Sequence, residues 1–128
     1  MAVTQPVSTP DAPAAIGPYS QAVRAGDFLF VSGQIPLDPS TGAIVAGGVS
    51  EQTHQVLKNL AAILSAAGAS FRQVVRTTVY LSDMADFTAM NEVYGSYFPS
   101  PAPARATIQA ARLPRDAKVE IDLIVYLG

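Results

Sequence analysis

The chain has 128 residues, of which 49% are hydrophobic and 14% charged, and its formal net charge is −2. It contains no cysteine and a single histidine, which excludes disulfides, thiolate catalysis, zinc–thiolate sites and a metal site built from several histidines. No run of lysine or arginine marks a nucleic-acid surface, so we expect no nucleic-acid partner.

The length corresponds to one domain, residues 1–128, and no apolar run is long enough to cross a bilayer. The N-terminus lacks the basic and apolar pattern of a secretion signal, so we expect no membrane partner and a cytoplasmic location. A small chain with so few charges has little polar surface with which to cover itself. We therefore expect part of its apolar surface to be covered by a copy of the same chain.

The first part of the chain predicts an extended lead-in, a hairpin and a loop. Residues 1–18 hold four prolines and form the lead-in. Weak alternation in 19–25 and the apolar run 28–31 predict two strands around the Gly26-Asp27 turn, the second one more buried. Residues 36–48, rich in Pro, Gly, Asp and Thr, predict a loop.

Two segments predict helices. In 51–67 the apolar side chains recur at helical spacing on one face, with Ser50 as the expected N-cap and Gly68 as the residue that ends the helix. A second helix is predicted over 84–98, capped by Asp83.

Three further segments predict strands: 74–81, 105–111 and 118–127. The last strand alternates between Val119, Ile121, Leu123, Val125 and Leu127 on one face and Glu120, Asp122, Ile124 and Tyr126 on the other. The order β-β-α-β-α-β-β predicts an α+β fold, a mixed sheet with both helices on one face. The second face of the last strand mixes charged and apolar residues, which is typical of a sheet face that packs on another subunit.

Alternate prolines precede the strand that begins with Arg105 and make its approach stiff. A guanidinium on a rigid element fits a carboxylate or phosphate in bidentate fashion. The alternative is an ordinary surface arginine at the start of a strand. Thr107 lies two residues further along and projects from the same face as Arg105.

Glu120 is the second candidate for chemistry. If the strands on either side of the 112–117 turn pair as a hairpin, Arg105 and Glu120 lie on neighbouring strands but not necessarily opposite each other. Near one pocket, the arginine would hold an anionic substrate, and the glutamate would handle a water or a proton. The alternative is a solvent-facing or ion-paired strand residue.

Other polar side chains are weaker candidates. Tyr19 follows a Gly-Pro turn and either walls a pocket or anchors the core. Ser32 and Gly33 either present a hydroxyl and a bare backbone N–H to a ligand or simply end a strand. Asn91 and His54 lie on the predicted helices, where solvated side chains are the usual interpretation.

Several segments form a set in a fixed order along the chain. They are AAIGPYSQ at 14–21, VSGQIP at 31–36, TTVYL at 77–81, PAR at 103–105, ARLP at 111–114 and VEI at 119–121. Across nearly the whole chain, this set resembles the Rid family of reactive intermediate deaminases, also called the YjgF family.

The resemblance implies a chorismate-mutase-like α+β subunit in a homotrimer, whose sheets face a central barrel and whose active sites lie in clefts between subunits. It implies hydrolysis of reactive 2-imino acids or their enamine tautomers, such as 2-iminobutanoate and 2-iminopropanoate, to 2-keto acids and ammonia. This activity limits damage by reactive metabolites and uses no cofactor and no metal.

The resemblance also assigns roles to residues. Arg105 corresponds to the arginine that holds the substrate carboxylate, and Glu120 to the carboxylate associated with the attacking water. Thr107 departs from the pattern, because many members have cysteine there. Since part of the role of that position is a backbone contact, which threonine retains, we expect activity to survive. The hydroxyl of Thr107 bears on substrate preference. The other positions that line the cleft are Tyr19, Ser32, Gly33 and Asn91.

Three other functions stay open from the sequence. The trimer could bind ligands without catalysis or act as a chaperone, or it could be a specialised enamine deaminase of a catabolic pathway. Some relatives have been described as ribonucleases or translation inhibitors, but the acidic balance and the lack of a basic patch argue against RNA cleavage here.

Overall fold

A computed structural model describes residues 4–128, and within them a six-stranded sheet carries two helices on one face. The α+β class predicted from the sequence is therefore confirmed. The helices are α1 (Val49–Ala66) and α2 (Phe87–Gly95). The strands are β1 (Thr4–Val7), β2 (Ala22–Ala25), β3 (Phe28–Gln34), β4 (Val74–Leu81), β5 (Ala104–Gln109) and β6 (Val119–Tyr126).

The order of strands in the sheet is β1-β2-β3-β6-β4-β5, and only β4 and β5 run parallel. The hairpin considered around residues 112–117 does not form, because β4 lies between β5 and β6. The connection from β4 to β5 passes through α2, and such a crossover returns the chain as a parallel neighbour. The apolar strand β6 instead occupies the centre of the sheet, where it pairs with both β3 and β4.

The predicted lead-in contains a strand that the sequence pattern did not reveal. β1 pairs antiparallel with β2 at one edge of the sheet, and the strand predicted from residue 19 begins only at Ala22. Pro6 is accommodated because an edge strand does not need every backbone N–H for pairing. The part of the lead-in prediction that concerns residues 1–3 lies outside the described residues.

Helix α1 confirms the predicted helix but not its cap. Gly48 is the N-cap, and its N–H donates to Glu51 Oε1 at 2.7 Å, so that Ser50 lies inside the first turn. The Glu51 carboxylate satisfies a backbone donor that would otherwise lack a partner at the helix start. At the other end Gly68 takes φ +73°, the left-handed conformation that terminates helices.

The second helix is shorter than predicted. Asp83 accepts a hydrogen bond from the Ala85 N–H at 2.9 Å and caps a 3₁₀ turn over Met84–Asp86, which leads into α2. Helix α2 ends at Gly95 rather than at residue 98, and the proline-containing approach to β5 begins soon after.

The two faces of the sheet differ in chemistry. The inner face, under the helices, is closed by buried aliphatic side chains that include Leu29, Val31, Val79, Leu81, Val119, Ile121, Leu123 and Val125. The outer face exposes large apolar side chains: Phe28 (41% exposed), Phe30 (46%), Ile108 (48%) and Tyr126 (46%). Glu120, Asp122 and Tyr80 share this face, so the mixed character predicted for it is confirmed.

The stability of the sheet–helix interface can be tested on α1. Leu60 is fully buried there, and we expect Leu60→Ala to lower the free energy of unfolding by about 2–5 kcal/mol because it removes buried methyl groups and leaves a cavity. Lys58 is exposed on the same helix, and Lys58→Ala should change the free energy by less than about 0.5 kcal/mol. Equal losses in urea denaturation would contradict this packing.

Candidate active site

Arg105 lies on the inner face of the sheet, beneath α2. It is paired with Thr77 of β4, and its Nη1 donates to the Oδ1 of Asn91 at 2.7 Å. Its guanidinium carbon is 4.8 Å from the ring centroid of Tyr94 and 5.5 Å from that of Phe87. Within residues 4–128 it has no carboxylate partner. The guanidinium is thus held in place by an amide and two aromatic faces, with its positive charge left for a ligand.

A buried hydrogen bond fixes the aromatic support of Arg105. The Tyr94 hydroxyl shares a hydrogen bond of 2.8 Å with Thr77 Oγ1, and the Tyr94 ring stacks on Phe98 with centroids 4.4 Å apart. Burial raises the pKa of Tyr94, so that its hydroxyl stays protonated at neutral pH. The Tyr94 ring beside Arg105 is therefore neutral, and its position is fixed by the hydrogen bond of its hydroxyl and by stacking on Phe98.

The aromatic platform of Arg105, formed by Phe87 and Tyr94, was not predicted from the sequence. Both residues lie within the helix predicted over 84–98, and Asn91 was considered there only as a separate polar candidate. Their spacing of four and then three residues is the signal that places all three on one helical face. Only the crossover from α2 into β5 brings that face over Arg105.

Thr107 lies on the same face as Arg105 and opposite Val79 of β4. Its Oγ1 is buried and has no hydrogen-bond partner among residues 4–128. A buried hydroxyl without a partner is costly, so a polar group supplied from outside the single chain would be favourable there.

Glu120 lies on the opposite, outer face, directly across from Tyr80. Its carboxylate is half-buried and packs against Gly33, where the Cβ of any other residue would overlap it. Glu120 makes no hydrogen bond or ion pair within the described part of the chain. Burial, and secondarily the negative charge of Asp122, raises the pKa of Glu120.

A cavity of about 330 Å³ adjoins Gly33, and the Tyr19 ring, which is 51% exposed, forms part of its wall together with Ile16, Ile35 and Arg115. The Tyr19 N–H donates to the Gly17 carbonyl at 2.9 Å, which fixes the turn that presents the ring. Ser32 contributes differently from the prediction: its hydroxyl donates to the Ser20 carbonyl at 2.6 Å and holds the segment that carries Tyr19.

The candidate residues form two groups. Asn91, Arg105 and Thr107 meet on the inner face, whereas Glu120, Gly33 and Tyr19 form a second group around the outer face. Arg105 and Glu120 do not meet within one chain, because β4 separates β5 from β6 and the alternation of side chains sends the two residues to opposite faces.

His54 belongs to neither group. It is exposed on α1, and its Nδ1 lies 3.0 Å from the Tyr97 hydroxyl. Across residues 4–128, no three side chains of the kinds that bind metal ions cluster together. None of the helices in this same range has the length and apolarity needed to cross a membrane.

Known proteins share both the sequence and the fold. Mouse 2-iminobutanoate/2-iminopropanoate deaminase is 55% identical over 122 residues, covering 95% of this chain and 90% of the mouse protein. The crystal structure of RidA from the Antarctic bacterium Psychrobacter sp. superposes with a TM-score of 0.92 at 44% identity, covering 95% of this chain and 98% of that one. E. coli TdcF, crystallised with bound serine, gives a TM-score of 0.92 at 42% identity, covering 97% and 99%.

A family model described as Endoribonuclease L-PSP matches residues 9–127. Together with relatives of this similarity over nearly the full length, that match establishes the family to which the chain belongs. The chain belongs to the Endoribonuclease L-PSP family, also known as the YjgF or Rid family.

Proposed function

We propose that this protein is a deaminase that hydrolyses 2-imino acids and their enamine tautomers, among them 2-iminobutanoate and 2-iminopropanoate, to 2-keto acids and ammonia. The observation that carries the proposal is Arg105, an ordered guanidinium with no carboxylate of its own chain. The name of the mouse relative supports the choice of substrate.

Arg105 binds the acid end of the substrate. Two parallel N–H donors of the guanidinium match the two oxygens of a carboxylate, and the fixed orientation gives the bound acid a fixed direction. The serine bound to E. coli TdcF is an α-amino acid, which carries its carboxylate next to a nitrogen-bearing carbon as a 2-imino acid does. That likeness supports an α-carboxylate as the group that Arg105 receives.

Glu120 acts on the water. The imine carbon is electrophilic, so a water oxygen forms the new C–O bond while the C=N electron pair moves to nitrogen and Glu120 accepts the proton of the water. Glu120 returns that proton to the nitrogen, and the hydroxyl proton of the resulting carbinolamine then passes to the nitrogen, so that ammonia leaves as the C=O bond forms. Only water and protein side chains enter these steps, so the proposal needs no cofactor.

The site requires two copies of the chain. Arg105 and Glu120 lie on opposite faces of one sheet, so a substrate between them must lie where the inner group of one copy meets the outer group of another. We propose a homotrimer that buries the outer-face residues Phe28, Phe30, Ile108 and Tyr126 around a central barrel. The net charge of −2 further supports an enzyme of small molecules without a nucleic-acid partner, and a cytoplasmic location is part of the same proposal.

A trimer that binds ligands without turning them over is the second candidate, and the serine bound to TdcF is the observation that favours it. The two candidates differ in whether the bound imine is consumed. Release of the keto acid therefore separates them.

The activity is tested by adding the protein to a threonine dehydratase reaction, trapping the free imine with semicarbazide and following keto-acid release. We expect the wild type to accelerate release and Arg105→Ala to lower that acceleration by at least about 100-fold, because the substrate loses its orientation. Arg72, an exposed arginine, provides the control variant Arg72→Ala, which should match the wild type. Undiminished turnover by Arg105→Ala would remove Arg105 from the mechanism.

The shared site is tested by mixing two inactive variants. Arg105→Ala and Glu120→Gln subunits, unfolded and refolded together in equal amounts, should regain roughly a quarter of wild-type activity, because about one interface in four combines an intact Arg105 with an intact Glu120. Each variant refolded alone should stay inactive. A mixture that remains inactive although mixed oligomers form would show that the two residues do not share a site.

Glu120 should also reduce stability at neutral pH. The pKa of Glu120 in the folded state is raised above the ordinary 4.5, so folding favours the protonated carboxyl. The contribution of Glu120 to the stability of the folded state is therefore fully present below about pH 4.5 and is lost as the pH rises through the raised pKa. Glu120→Gln stays neutral, and we expect it to be more stable than the wild type at pH 7, by at most about 1 kcal/mol after solvent screening.

The gain should disappear as the pH falls toward about 4, where the wild-type carboxyl is itself neutral. Glu92, exposed on α2, serves as the control, and Glu92→Gln should change the melting temperature little at either pH. A Glu120→Gln variant that is less stable than the wild type at neutral pH would contradict the inferred burial cost.

A further inference from the structure

A second carboxylate lies beside Glu120 on the outer face. Asp122 is two residues further along β6, so both side chains project from the same face, and both residues are partly buried. The Tyr80 hydroxyl donates to Asp122 Oδ2 at 2.9 Å. Tyr80 stands directly opposite Glu120 in the β4–β6 pairing, yet its hydroxyl bonds to the diagonal neighbour. Glu120, Asp122 and Tyr80 therefore form one group, of which the proposed mechanism uses only Glu120.

The other charged groups near this cluster are few. Arg76 lies on the same face of β4, opposite Ile124, and Lys118 precedes β6. Arg115 and Tyr19 line the cavity beside Gly33. Within residues 4–128, none of these groups forms an ion pair with Glu120 or Asp122. On the other sides, β3 brings Phe30 and Gly33 to the face and β5 brings Ala106 and Ile108, none of which titrates. Asp122 is thus the charge that Glu120 experiences most directly within its own chain.

The direction of the interaction follows from the charges. A negative Asp122 disfavours a second negative charge on Glu120, and this effect acts with burial to raise the pKa of Glu120. The hydrogen bond to Asp122 is in turn the main cause that raises the pKa of Tyr80, so the phenol stays a donor. The same hydrogen bond holds the Asp122 carboxylate toward β4.

We propose that Asp122, oriented by the Tyr80 hydroxyl, is a positioning residue that makes Glu120 a stronger base for imine hydrolysis. The inference rests on the proposed deaminase function. A carboxylate with a higher proton affinity removes the proton of the attacking water more effectively, provided that the carboxylate is still ionised at the working pH. Asp122 itself touches neither the substrate nor the water in this scheme.

The test is the pH dependence of kcat/KM for Asp122→Asn. Removal of the charge should move the acid limb of the profile to lower pH by about half a unit to one unit, and should lower the rate at neutral pH by roughly threefold, because Glu120 becomes a weaker base. The ratio of variant to wild type should therefore exceed one near pH 5 and fall below one near pH 7. Taking the ratio cancels the titration of the substrate.

Further variants separate this role from a structural one. Tyr80→Phe should shift the profile in the same direction by a smaller amount, and Asp122→Glu should restore most of the wild-type profile. Adding Tyr80→Phe to Asp122→Asn should have no further effect on the profile, because Tyr80 acts through Asp122. Asp27→Asn, at an exposed turn, is the control and should leave the profile unchanged.

A merely structural cross-strand pair predicts a different result. Its loss would lower activity by the same factor at every pH, and that outcome, or an additive effect of Tyr80→Phe, would overturn the inference. The carboxyl carbon resonance of Glu120 gives a readout that does not depend on turnover: its titration midpoint should fall by about half a unit to one unit in Asp122→Asn. A wild type that hydrolyses no imine would refute the proposed function, whereas an unchanged midpoint would refute this inference.

Discussion

The pairing of β4 with both β5 and β6 is the constraint on which the rest of this structure depends. Because β4 lies between the other two strands, the register places Arg105 next to Thr77 and Glu120 next to Tyr80. Adjacent residues of β4 point to opposite faces, so the parity of these partners puts the cation on the helix-covered face and the carboxylate on the open face. No side-chain rotation changes this, because the sheet itself stands between them.

Arg105 and Glu120 each lack a partner of opposite charge among residues 4–128. Arg105 is a positive charge with amide and aromatic neighbours, and Glu120 is a half-buried carboxylate without a donor among residues 4–128. For Glu120 this arrangement is unfavourable in an isolated chain, since buried charges are usually paired. In the proposed mechanism, a substrate carboxylate pairs with Arg105 and an ordered water hydrogen-bonds to Glu120. The stability lost by burying Glu120 is then lost at a position where the proposed chemistry takes place.

Rigid supports fix both groups that the proposed mechanism uses. Arg105 has an aromatic platform locked by the hydrogen bond between Tyr94 and Thr77, and Glu120 packs against a residue that lacks a side chain, Gly33. These supports come from the sheet and α2 rather than from long loops, which favours fixed geometry over adaptation. The family description Endoribonuclease L-PSP names a different chemistry, but the charges around the two groups are those expected for a small organic acid and a water.

Local sequence patterns predicted the secondary structure correctly wherever the residues of a single segment determine it. The alternation in β6, the β-branched run of β4 and the apolar face of α1 follow from the spacing of residues along the chain, and the motif set was specific enough to indicate the family, Arg105 and Glu120. Pairing between strands was not predictable in this way, because β1 and the position of β4 depend on which distant strand offers the better buried face. The Ser50 cap was wrong for a related reason, since Gly48 and Glu51 together satisfy the helix start better.

The sequence by itself determined the fold class, the helix faces and the identity of the groups that could carry chemistry, since these depend on residue type and short-range period. Only the tertiary structure decided that Arg105 and Glu120 point away from each other, that Phe87 and Tyr94 support the guanidinium, and that Asp122 and Tyr80 lie beside Glu120. Each of those facts depends on register between strands that are distant in the chain, and register is set by the packing of the whole sheet.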